Sequence, residues 1–164
     1  MGAELFAQVR GEVHGLLNHF MADRWREVAP GVAAVADSGV CYMYNEDVSL
    51  KAGFGAVAGL EVNAGVLGKL AEVNAFNKLA HVWLRPEDNG GTWAMMVTFK
   101  MAYVWTAPEE MRQFMYTVLT NQDQILEIIH GMIAPFGGRP YWNPSGGMEQ
   151  VDSRGYALAS DLGG

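Results

Sequence analysis

One cysteine, Cys41, stands among 164 residues, so no intramolecular disulfide and no CxxC zinc site is available. Lysine is scarce too: four, with no basic run, in a chain of formal charge −7 at pH 7. Nucleic-acid affinity depends on neutralising several phosphates, so this composition excludes that class of partner. No uninterrupted apolar run approaches the ~18 residues of a membrane span. The opening stretch MGAELFAQVRGEVHGLLNHF is interrupted by Glu4, Arg10 and Glu12 where a signal peptide needs a continuous apolar core. Phe6 stands where myristoylation requires Ser or Thr. The expectation is a soluble cytoplasmic protein with no nucleic-acid and no membrane partner.

Catalytic motifs are also missing. Glu127 and His130 have the Glu-x-x-His spacing of di-iron bundles, but only one copy is present. His14 and His19 are five apart and share no helical stripe. Gly53, Gly55 and Gly59 form G-x-G-x-x-x-G, one residue too long for a dinucleotide loop and without a crossover helix, which indicates a strand bend or bulge. Gly68-Lys69 is followed by Leu70, with Asn63 where a P-loop needs Gly. Cys41 has no histidine or basic residue nearby in sequence to activate it. The pairs Glu46-Asp47, Glu87-Asp88 and Glu109-Glu110 lie in turns or at a helix start, where solvated acids are routine. No catalytic residue, metal ligand or cofactor is therefore predicted.

What the chain does have is apolar mass: 50% of its residues are hydrophobic. A chain of this size can bury about 69% of its unfolded surface, enough for one self-sufficient core. Leu5, Val9, Val13, Leu16, Leu17 and Phe20 predict a helix over 3–23. VAAVA, VCYMYN and VSLKAGFG, separated by Asp37-Ser38-Gly39 and Asn45-Glu46-Asp47, predict a three-stranded meander. Asn63 caps a second helix carrying Val66, Leu67, Leu70, Val73 and Phe76, ending near Asn77. HVWLR and TWAMMVTFKMAYVW predict two more strands, the second apolar at every odd position from Trp93 to Trp105. TAPEE reads as a capping box on Thr106 and Glu109, opening a long helix with a weak or bent point at residues 121–124 and a stop at Gly137-Gly138. The expected fold is α+β, a five-stranded antiparallel sheet with helices packed on one face, in the order α-βββ-α-ββ-α. Residues 1–138 form the domain and 139–164 a Gly/Pro-rich tail.

The stretch VNAFNKLAHVWLRPEDNGGTWAMMVTFKMAYVWTAPEEMRQFMYTVLTNQDQILEIIHGMIAPFGG, within residues 3–138, resembles the YbjN-like proteins that share the fold of type III secretion chaperones. Its marks are Asn74 and Asn77 closing a helix, a strand pair, an acidic helix start and a terminal Phe136-Gly137-Gly138. The resemblance implies a non-enzymatic, chaperone-like domain that holds a protein or peptide client, often as a homodimer. A small-ligand binder or enzyme with a dispersed site, and a structural subunit of a larger assembly, are the alternatives.

The predicted partner-binding patch lies on the sheet face opposite the helices. The even positions of the long strand place Met96 and Lys100 there. An even-length hairpin adds Tyr42, Tyr44 and Lys51, leaving Cys41 and Met43 in the core; an odd loop inverts that assignment. The competing expectation is that the tail folds back and covers this face with Tyr141 and Trp142.

Overall fold

The structure, a computed structural model, describes residues 2–45, 49–77, 80–102 and 108–163. Helix α1 (Ala3–Met21) leads into β1 (Trp25–Ala29), β2 (Val32–Val35), β3 (Cys41–Met43) and β4 (Ser49–Leu60). Then follow α2 (Ala64–Phe76), β5 (His81–Pro86), β6 (Trp93–Ala102), α3 (Pro108–Ile133), β7 (Arg139–Pro140) and α4 (Gly147–Gly163). The strands form one sheet in the order β1-β2-β3-β4-β6-β5, every pair antiparallel, and β7 adds to β4 at Val57 and Ala58. The fold is α+β with an antiparallel sheet, as expected, but the sheet has seven strands among the described residues, not five. The additions are β1, whose WREVA lacks an alternating apolar pattern, and the two-residue β7.

Local rules account for the elements that were legible. Asn63 Oδ1 accepts the Val66 amide at 3.0 Å and starts α2. Alternation along β6 drives Met95, Val97 and Phe99 into the main core, where they meet Leu50, Ala52 and Phe54 of β4. Val9, Val13 and Leu17 of α1, Val66 and Val73 of α2, and Met111, Met115, Val118, Ile125 and Ile129 of α3 close that face. The capping box at Thr106 lies outside the described residues. α3 is continuous through residues 121–124: Gln122 is buried and donates to the Ser38 carbonyl at 2.7 Å, tying the helix to the turn between β2 and β3.

The expectation of helices on one face only is overturned by residues 139–163. Instead of a tail they form β7, a 3₁₀ turn at Pro144–Gly146 and α4, and α4 packs on the opposite face. Val151, Leu158, Leu162 and Trp142 build a second core there with Ala34, Cys41, Met43, Ala94 and Met96. The strand glycines admit it. A Cβ on Gly53 would lie 2.9 Å from Leu162 Cδ2, and one on Gly55 would overlap the Tyr141 ring. The expected bulge is also present, with the β4–β6 register shifting between Gly55 and Val57 and again before Leu60.

Candidate functional site

The five residues predicted to form a partner patch are not brought together. β3 and β4 pair Tyr42 with Ala52 and Met43 with Lys51, the odd-loop register, so Tyr42 and Tyr44 point into the main core and Cys41 and Met43 into the second. Tyr42 is fully buried, with its hydroxyl 3.4 Å from the Met115 carbonyl, and Tyr44 is 1% exposed. Met96 lies on the predicted face but is fully buried beneath the C-terminal segment. Lys51 and Lys100 face one another across β4 and β6, one half-buried and the other exposed. Burial removes Tyr42, Tyr44 and Met96 from any surface a partner could reach.

Tyr44 instead supports a polar cluster that the sequence did not reveal. Arg10 and His14, one turn apart on α1, meet Trp25 and Glu27, which share a face of β1. Arg10 grips the Glu27 carboxylate in a fork, with Nε at 2.9 and 3.1 Å and Nη2 at 2.8 Å. Tyr44 donates its hydroxyl to Glu27 Oε2 at 2.6 Å, and His14 Nε2 lies 2.6 Å from that hydroxyl and 2.9 Å from the same oxygen. The His14 ring also lies tilted against that of Trp25, with centroids 4.8 Å apart. The Arg10 hydrogen bonds are the main cause holding the Glu27 carboxyl down to about 2. Partial burial lowers the His14 pKa, and burial followed by the Glu27 contact raises that of Tyr44. A carboxylate so thoroughly engaged is a poor base near neutral pH, so the arrangement reads as a clamp between α1 and the β1 edge.

The clefts over α3 differ in their chemistry. The first, about 360 Å³, sits where β3 ends and β7 begins along β4. Its polar walls are occupied by structural duty, with Gln122 holding Ser38 and His130 Nε2 2.8 Å from the Ala56 carbonyl. His130 thus turns onto the sheet while Glu127 is exposed, and among the described residues no three His, Cys, Asp or Glu side chains converge as a metal would require.

The second is an apolar groove of about 240 Å³ between the end of α2 and the C-terminal half of α3, lined by Val73, Phe76, Ile125, Ile128, Ile129 and Met132 with Asn77, Asn121 and Gln124. No lining side chain is charged. Phe76 is 81% exposed and Ile128 49%. The groove exists because α2 is drawn toward the sheet edge. The Asn74 amide donates to the Val82 carbonyl at 2.8 Å and accepts the Val82 amide at 2.9 Å, mimicking a neighbouring strand along β5. Sequence reading placed Leu67 and Phe76 on α2's buried stripe, but only Val66 and Val73 are buried. That stripe is wider than the surface α3 and the sheet can cover, which is the one signal that pointed to a groove.

No protein-family model and no curated protein matches the sequence. Among solved structures the chain is similar to the crystal structure of YbjN from E. coli, described there as a proposed transcription regulator, with a TM-score of 0.55 and 14% identity over 80% of this chain and 96% of that one. At that identity the likeness concerns architecture alone, and it shows that this chain has a YbjN-like fold.

Proposed function

We propose that the protein is a non-enzymatic binding domain, chaperone-like in holding a segment of a partner protein, and that the groove between α2 and α3 receives that segment. The observation that carries this reading is the uncharged, apolar groove with Phe76 projecting at its rim. Exposed large apolar side chains around a concave surface, bordered by amides, match the composition of protein-binding hot spots. Leu67 and Tyr116, also exposed, lie on the same two helices. Charge narrows the occupant. α3 carries Glu109, Glu110, Asp123 and Glu127 against the single guanidinium of Arg112. The fitting client is a peptide with a large apolar anchor and basic flanks.

Selection of a random-peptide display library on the immobilised protein tests this. The selected peptides are expected to carry apolar anchors flanked by Lys or Arg, and to lose binding to Ile128→Asp and Phe76→Ala. Both positions are exposed, so these variants are expected to stay within about 0.5 kcal/mol of wild-type stability. Peptides without those features, or peptides indifferent to both substitutions, contradict the reading. Self-association through the same helices belongs to the proposal too, and sedimentation of wild type against Ile128→Asp checks it.

A further inference from the structure

Most arginines in this acidic chain are matched to carboxylates. Of seven arginines, Arg10 pairs with Glu27, Arg24 with Asp37, Arg26 with Asp152 and Arg85 with Asp161. Arg112 lies 3.4 Å from His19. Arg139 and Arg154, which like Arg112 have no carboxylate partner among the described residues, open on the same cleft of about 340 Å³ between β7, α4 and the start of the β5–β6 loop.

Arg154 is held in place. Arg154 Nη2 donates to the Tyr141 carbonyl at 3.2 Å, and its guanidinium lies 5.5 Å from the Tyr141 ring centre and 5.9 Å from that of Trp142. The Arg139 side chain crosses Gly59, where a Cβ would come within 2.5 Å of Nη1, at a β4 position whose φ of +71° also favours glycine. Two of the cleft's three acids are engaged. Asp161 accepts from Arg85 and, at 2.9 Å, from the Tyr141 hydroxyl. Glu87 accepts the Gly59 amide at 3.0 Å and the Thr92 hydroxyl. Asp88 points to solvent, fully exposed and 3.9 Å from Arg85.

Two guanidiniums with spare donors, Arg154 anchored on aromatic rings and Arg139 across Gly59, beside Asp161 and Glu87 whose oxygens already accept, make a receptor for an oxyanion, because each fork matches two oxygens of a phosphate or carboxylate. We propose that this cleft binds a small oxyanion-bearing molecule through Arg139 and Arg154. Its volume of about 340 Å³ admits a small metabolite. The site is separate from the α2–α3 groove and does not depend on the function proposed there.

Inorganic phosphate and citrate, titrated separately by calorimetry at low salt, are the probes. Saturable binding of one or both is expected, weakened by added sodium chloride, with phosphate alone or citrate alone indicating which oxyanion class the cleft favours. Arg139→Gln and Arg154→Gln should each reduce affinity by at least about tenfold, while Arg112→Gln leaves it unchanged. Arg154→Lys retains the charge and stem as a folded control and should bind less well than wild type because the fork is lost. Absence of saturation by either anion below about 10 mM overturns the proposal, as does equal loss in Arg112→Gln or unaltered binding in the Arg139 and Arg154 variants.

Discussion

Replacing Gly55 with alanine separates a packed C-terminal segment from a frayed one by the sign of the effect. Gly55 lies in β4 and is not among the positive-φ glycines, so its backbone accepts an L-residue. Were Tyr141 part of a loose tail, Gly55→Ala would stabilise the protein by about 0.4–1 kcal/mol, through the smaller entropy of the unfolded chain. In this structure the new Cβ would overlap the Tyr141 ring at Cγ and both Cδ atoms, the part of the side chain least able to swing away. Tyr141 is held at both ends, its amide 3.3 Å from the Ala56 carbonyl and its hydroxyl 2.9 Å from Asp161. Overpacking of this kind costs about 1–3 kcal/mol. Set against the entropic gain, the expected net loss is about 1–2 kcal/mol, visible in urea unfolding as a lower midpoint at unchanged slope. Tyr141→Ala in the Gly55→Ala background should remove the clash, so the double variant should be more stable than the summed single losses imply. A Gly55→Ala protein as stable as wild type or more so would refute the packing of the C-terminal segment against β4.

Further expectations follow from single contacts. Phe99→Ala, in the centre of the main core at 2% exposure, should cost about 3–5 kcal/mol in the same urea assay. Asn74→Ala leaves both backbone groups of buried Val82 without their partner and should cost about 1–3 kcal/mol, with faster exchange of the Val82 amide read by hydrogen–deuterium exchange. Glu27 has its carboxyl pKa lowered from 4.5 to about 2 in the folded state. The stability it contributes is therefore fully present above about pH 4.5 and is lost as pH falls toward 2, and Glu27→Gln should flatten the stability profile across that window.

Legibility followed the range of the interactions. β6 and the faces of α1 and α3 were readable because alternation and helical period are local properties, and Met95, Val97, Phe99 and Met111 are buried as their spacing indicated. Tyr42 and Tyr44 were placed on the wrong face because the assignment turned on the parity of one hairpin loop, and an offset of one residue reverses every side chain. α4 escaped because its glycines look like terminators. Gly155 in fact lies against the sheet, where a Cβ would stand 3.0 Å from Val28 and 3.4 Å from Ala34. The Arg10–Glu27–Tyr44 cluster joins three elements, and the open stripe on α2 becomes visible only once α3 is seen to cover part of it.

The proposed client site is tested most directly by amide chemical-shift mapping of the ¹⁵N-labelled protein during titration with a peptide bearing a large apolar anchor and basic flanks. The account predicts saturable shifts concentrated at the end of α2 and the C-terminal half of α3, around Val73, Phe76, Asn121, Ile125, Ile128 and Met132, and their loss in Ile128→Asp. Shifts centred on another surface, or none at millimolar peptide, would contradict it.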